Sequence, residues 1–302
     1  MLQLIIEIEY NGREYQAPQL YDSHDQRRGV DGMLRDIVAI RGGGEVGTAI
    51  AHKLRRSGFK VFIIENNNPF SIRRTVSYAQ AVFDNEMMVQ GIKGIKVENV
   101  EGILEVWKNK QIPIIIDSEC EVLKEIPVDI LVDAIMAKKN LGTHRDMAAI
   151  TIATGPGFTA GQDVDIVIET KVGHDQGRII FEGMAEPETS MPGESDGFEY
   201  NKVQNSPSDG IVKTFAEIGD QVSKGQKLAE IAGHIIRAQQ HGMLRGIVKE
   251  GSRVWKDQKI LEIDPEVSEE QCYRLSQRSR DVAGSVLEAI MYLKNEKKIN
   301  ID

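Results

Sequence analysis

Residues 36–65 constrain this chain more than any other stretch. Ile37-Val38-Ala39-Ile40 is a short apolar run, Gly42-Gly43-Gly44-Glu45-Val46-Gly47 follows it, and Val46, Ile50 and Leu54 then recur at helical spacing. Gly58 closes that helix, Lys60-Val61-Phe62-Ile63-Ile64 is a second apolar run, and Glu65 stands at its end, 18 positions beyond Gly47. Gly42, Gly44 and Gly47 therefore fit G-x-G-x-x-G in the strand, turn and helix setting that gives the pattern meaning. There Gly42 takes the tight turn, Gly44 leaves room for a pyrophosphate, and Gly47 lets the helix pack closely on the sheet. The amides at the helix start, from Gly43 onward, would face a phosphate. Glu65 is placed to accept from ribose hydroxyls. A turn kept for packing alone is the other reading. Arg41 departs from the pattern, because a small or apolar residue usually precedes the first glycine; it either adds an anion contact or fills space that a cofactor needs.

Strand and helix alternation continues downstream. Ser71 is placed to cap a helix carrying Ile72, Val76, Ala79 and Phe83 on one face, with Arg73 and Arg74 in its first turn, where cations oppose the helix dipole unless an anion compensates. Met87 to Val97 has the pattern of a small hairpin turning through Gly91 and Gly94, and Asn99 starts a short helix. Ile112 to Ile116 runs into Asp117, and Asp129 to Val132 runs into Asp133. In open parallel sheets ligands bind outside the carboxyl ends of strands, so both aspartates are candidate contacts, with helix capping the even alternative. Lys138, Lys139, Asn140, Thr143, His144 and Arg145 form a donor-rich loop suited to a phosphate, carboxylate or oxyanion. Strands at 149–153 and 164–168 flank a loop whose Gly155 and Gly157 permit close backbone approach. His174 has no partner at metal-ligand spacing, and no metal site is expected.

The expected architecture is α/β. A Rossmann-like, mostly parallel sheet domain spans 36–181, after an N-terminal extension at 1–35 and before a linker at 182–205. A small all-β domain spans 206–264, and a helical segment follows at 265–302, where Val282, Val286, Ala289 and Ile290 recur at helical spacing. The all-β domain is an internal repeat at an offset of 32 residues, in which Gly210, Gly219, Val222, Lys224, Gln226, Lys227, Glu230 and Ile231 return as Gly242, Gly251, Val254, Lys256, Gln258, Lys259, Glu262 and Ile263. Two interleaved halves burying one core resemble the biotinyl/lipoyl barrel-sandwich. That fold carries its modified lysine on the turn between halves, but Ile231 to Ala238 holds no lysine, so neither biotin nor lipoate is expected and a docking or lid role is.

The formal net charge of -9 gives no electrostatic footprint for nucleic acid or an anionic membrane. Apolar runs fall short of the roughly 20 residues that span a bilayer. Cys120 and Cys272 are far apart, which fits a reducing cytoplasm better than a disulfide framework.

Ile40-Arg41-Gly42-Gly43-Gly44, Ile72-Arg73-Arg74-Thr75-Val76, Asp133-Ala134-Ile135 with Ala137 to Thr143, Gly155 to Gly161 and Val167-Ile168-Glu169-Thr170 together resemble the YqeB-type proteins of the selenium-dependent molybdenum hydroxylase system. The resemblance runs from about Asp36 to about Leu293. It implies a maturation role beside a molybdenum hydroxylase or its other maturation factors, with a nucleotide or molybdopterin dinucleotide bound and selenium insertion or cofactor delivery assisted. Within that role the glycine turn holds a pyrophosphate, Lys138, Lys139, Arg145, Arg73 and Arg74 hold the pterin phosphate, and Cys120 carries sulfur or selenium; a small buried residue is the plainer use of that cysteine. An NAD-dependent oxidoreductase, with Lys138, His144 or His174 as proton donor, and a ligand-free scaffold are the rival expectations. A homo-oligomer is left open.

Overall fold

The computed structural model describes residues 7–10, 13–16, 36–187 and 202–299, with side chains described within 36–187 and 202–296. Most of the expected extension and linker lies outside these residues. Strands β1 (Glu7–Tyr10) and β2 (Arg13–Gln16) pair antiparallel.

A nine-stranded sheet organises the first domain. Its strands in chain order are β3 (Ile37–Arg41), β4 (Lys60–Glu65), β5 (Glu86–Val89), β6 (Ile92–Val97), β7 (Ile112–Ile116), β8 (Ile130–Asp133), β9 (Ile150–Thr154), β11 (Ile166–Ile168) and β12 (Ile179–Ile180). A two-stranded ladder of β10 (Thr159–Ala160) with β13 (Gly183–Met184) stands beside it. The spatial order is β12-β11-β9-β8-β3-β4-β7-β6-β5, parallel throughout except at the two edge strands. From β3 the chain passes to β4, crosses to the far edge for the β5-β6 hairpin, returns inward to β7 beside β4, and then crosses to the other side of β3 to begin β8. The crevice between β3 and β8 is therefore the topological switch point. This is a mixed α/β architecture consistent with a Rossmann-like domain.

Successive strand residues point to opposite faces, and the sequence uses both. Val38, Ile40, Val61 and Ile63 pack with Ile50 and Leu54 of α1 (Glu45–Arg56), whereas Ala39, Phe62 and Ile64 pack with Ile103 and Val106 of helix α3 (Val100–Lys108), capped by Asn99 as expected. Trp107 on α3 donates to the Val61 carbonyl.

Two local expectations change. The helix expected from Ser71 is broken into single 3-10 turns at Arg74–Val76 and Tyr78–Gln80 and a short α2 (Ala81–Asp84). The cause is tertiary: Ala79 N–H donates to the Gly43 carbonyl and Tyr78 N–H to Thr48 Oγ1, and Ser71 bonds Ser77 instead of capping. Gly94 lies inside β6 rather than at a turn, where a Cβ would meet the Tyr78 ring at 2.5 Å.

The second domain contains β14 (Val203–Asn205), β15 (Gly210–Thr214), β16 (Gln221–Val222), β17 (Lys227–Ile231), β18 (His234–Arg237), β19 (Gly242–Ile247), β20 (Arg253–Val254) and β21 (Lys259–Asp264). They form two four-stranded antiparallel sheets, β14-β21-β19-β16 and β18-β17-β15-β20, around one apolar core. The 32-residue repeat maps β15, β16 and β17 onto β19, β20 and β21, and each half lends its two-residue strand to the other half's sheet. No closed barrel forms among the described residues. After α4 (Glu269–Cys272), helix α5 (Gln277–Ile299) returns to the first domain, with Val282, Val286, Ala289 and Ile290 fully buried beside α1. No helix among the described residues is long and apolar enough to cross a membrane.

Candidate functional site

The carboxyl edge of the nine-stranded sheet gathers most of the residues singled out by sequence. Gly42 leaves β3 at φ +94, and a Cβ there would lie 2.9 Å from the Ile135 Cα, so only glycine lets the turn pass the backbone just beyond β8. At Gly47 a Cβ would fall 2.0 Å from the Gly42 carbonyl oxygen. Gly44, by contrast, has no heavy atom within 4 Å of the place a Cβ would take. It is also the N-cap of α1 and supplies no side-chain acceptor to the helix amides. The first amides of a helix have no partner within it, so the open ground at Gly44 is where an anion can meet donors.

Glu65 is committed to the turn itself. Its Oε2 accepts the Gly43 N–H at 2.8 Å, and its Oε1 accepts from the backbone and side chain of Asn66 at 2.8 and 2.9 Å. Burial pushes its pKa up, against the lowering effect of those three donors. Thr48 Oγ1 donates to the Gly43 carbonyl, which also accepts from Ala79, so the turn is tied to residues 78–79 on one side and to β4 on the other.

Arg41 and Asp133 are register partners at the ends of β3 and β8, in the switch-point crevice. Thr143 joins them: Arg41 Nη1 donates to Thr143 Oγ1 at 2.5 Å, and Thr143 Oγ1 donates to Asp133 Oδ2 at 2.6 Å. The direct Arg41 to Asp133 separation is 3.6 Å, and Arg41 Nη2 donates to the Leu141 carbonyl. Burial raises the Asp133 pKa, opposed by Thr143, the Ile135 amide and Arg41. Asn140 closes the loop by accepting from the amides of Gly142 and Thr143 while donating to the Thr143 carbonyl. Lys138 and Lys139 are exposed on this loop, and Gly157 seats against it so tightly that a Cβ would lie 2.6 Å from the Lys139 Cα. Gly155 abuts Thr170. The two polar loops expected from sequence thus meet at one edge of the crevice.

Other candidates sit elsewhere. Asp117 Oδ2 accepts from Val122 N–H and so holds the turn after β7, the capping alternative. Arg145 is engaged by Asp165 at 2.7 Å and by the Gly161 carbonyl. Arg73 is buried against Glu45 at 3.4 Å and the Arg274 carbonyl, and Arg74 donates to the Ile247 carbonyl, so both arginines join the two domains. Cys120 is 5% exposed in the core on the α3 side, and burial pushes its thiol up to about 11. A thiol so placed stays protonated at neutral pH. With Cys272 buried as well, Ellman's reagent at pH 8 is expected to find almost no fast thiol in the native chain and both after denaturation; a rapid native reaction at Cys120 would show that this environment opens.

Sequence reading missed Glu45, whose carboxylate accepts from Ser276 N–H at 2.9 Å and meets Arg73, and it gave no structural role to Glu169, which is fully buried and accepts from the amides of Thr170, Lys171 and Glu186. An acid in the first turn of α1 is a local signal for the dipole, but nothing local announces a partner 231 residues away.

No family model matches the chain. The uncharacterized protein YqeB of Escherichia coli (strain K12) is 40% identical over 260 residues, which is 86% of this chain and 48% of that protein, so the chain spans about half the length of the curated relative it matches. Among solved structures, the product-bound ectoine utilization protein EutE (DoeB) from Ruegeria pomeroyi is 12% identical, with a TM-score of 0.21 over 75% of this chain and 56% of that one. A succinylglutamate desuccinylase from Silicibacter sp. TM1040 is 11% identical, with a TM-score of 0.21 over 76% and 85% of the two chains. Likenesses this slight carry no argument.

Proposed function

Because this chain belongs with the YqeB-type proteins over most of its length, we propose that it is an accessory protein for a selenium-dependent molybdenum hydroxylase, binding a nucleotide or the molybdopterin dinucleotide and assisting selenium insertion or cofactor delivery. The observation that carries the nucleotide half is the glycine turn at the switch point, with open ground at Gly44 before a helix whose first amides have no side-chain cap. In this reading the pyrophosphate lies against Gly44 and the start of α1. Lys138 and Lys139, exposed on the loop beyond β8, bring positive charge toward the pterin phosphate. Glu65 keeps its bond to Gly43 and presents its remaining lone pairs to a ribose. The all-β domain, read as a barrel-sandwich without a carrier lysine, docks the client enzyme. The maturation half rests on the family resemblance.

Calorimetric titration of the purified protein with NAD, CTP and molybdopterin dinucleotide tests the reading. Binding of the pterin or cytidine nucleotide, lost in Gly44→Asp, is the expected result. Binding of NAD alone favours an oxidoreductase, and binding of none leaves the turn as architecture.

A further inference from the structure

The internal repeat gives the second domain two related sheets, and only one of them is covered. In the first, Met243 and Ile247 on β19 are 8% and 1% exposed. Ile72 packs against the apolar cluster that includes both, its backbone lies against Gly246, and Ile247 N–H donates to its carbonyl. Just beyond β19, Lys249 Nζ lies 3.6 Å from Asp84 and 4.0 Å from the centre of the Phe83 ring. The cover is thus an apolar side chain on the sheet and a carboxylate on the neighbouring lysine.

In the other sheet the repeat mates, 32 residues earlier, are bare: Ile211 is 57% and Phe215 42% exposed. Ile235 on β18 and Trp255 just after β20 are 39% and 54% exposed. Among the described residues of this domain, every large exposed apolar side chain belongs to this sheet or directly follows one of its strands. Cross-strand partners share a face, and the pairing sets Ile211 opposite Arg253, and Lys213 opposite Glu230, which is in turn opposite Ile235. Lys227 Nζ sits 3.6 Å from the Phe215 ring centre. Lys227 is bridged to Glu230 at 3.2 Å, which leaves Lys213 and Arg253 as the cations that this patch of aromatic and aliphatic side chains offers a partner, on a chain of net charge -9. A second copy meeting it face to face would set these cations against their own kind.

We infer that the outer face of β18-β17-β15-β20 docks a partner protein through a segment presenting apolar side chains flanked by carboxylates, the chemistry that Ile72 and Asp84 supply to the sister sheet. This rests on and deepens the docking role proposed for the all-β domain, and it holds whatever the crevice binds. Trp255 is the reporter, since Trp107, the other of the two tryptophans, is held by Val61 and edge-packed on Phe62. The full chain is titrated with a synthetic peptide of alternating Ile and Glu and with its counterpart carrying Lys for Glu. The acidic peptide is expected to give a saturable blue shift of Trp255 emission. Binding should weaken at least tenfold for the Lys peptide and for the exposed-site variants Ile211→Asp and Lys213→Glu, whose circular dichroism should be unchanged. Equal binding of the two peptides, no shift with either, or a concentration-dependent dimer that Ile211→Asp dissolves in sedimentation would overturn the inference.

Discussion

Asp133→Ala is expected to destabilise the first domain by about 3–5 kcal/mol, the cost of leaving a buried charge without its partner. Asp133 is 1% and Arg41 6% exposed, so neither water nor salt replaces the lost carboxylate. The substitution also strands the Thr143 hydroxyl and the Ile135 amide, both of which donate to it. Arg41→Ala should cost a comparable amount for the mirror reason. Replacing both with apolar residues of similar volume, as in Arg41→Met with Asp133→Leu, should recover most of the loss, because the desolvation cost of the pair leaves with it. Urea unfolding at pH 7 of the parent, the two single variants and the double variant measures these differences. Single variants within about 0.5 kcal/mol of the parent would mean that the crevice is wet and the network is not a structural lock.

The second large effect separates glycines that sequence treats alike. Gly47→Ala would put a methyl carbon 2.0 Å from the Gly42 carbonyl, a backbone atom that cannot swing away, and is expected to cost about 3 kcal/mol or more. Gly44→Ala, three residues earlier at the N-cap with φ -63 and ψ -177, meets nothing and should stay within about 1 kcal/mol, the scale of an N-cap change. Gly44→Asp should keep or slightly improve the fold, because aspartate is a strong N-cap. Its charge would nevertheless repel a phosphate. Thermal unfolding of the three variants checks the contrast, and a large loss for Gly44→Asp would show that this position is not open.

Much of this was legible because its causes are local. The unbroken apolar run Val38-Ala39-Ile40 requires a strand buried on both faces, and such strands take helices on each side. The repeat placed β15 to β17 over β19 to β21 residue by residue, since identical turn glycines recur at one offset. What could not be read depends on contacts distant in sequence. The Ser71 pattern has helical spacing, but amides that would extend the helix are taken by Gly43 and Thr48, across the fold. Glu65 stands where a ribose acceptor belongs, yet whether it also holds the glycine turn depends on where Gly43 directs its N–H. Arg73 and Arg74 look like anion ligands beside the turn because sequence cannot foresee a second domain arriving from 173 residues downstream to accept from Arg74.

The central claim is that the ground at Gly44 holds a nucleotide-bearing cofactor. Native mass spectrometry of freshly purified protein, parent beside Gly44→Asp, tests it most directly. The account predicts an added mass on the parent that matches a pterin or cytidine nucleotide, is released on denaturation, and is absent from a folded Gly44→Asp. Bare chain mass in both, with no adduct after incubation with molybdopterin dinucleotide, would contradict it.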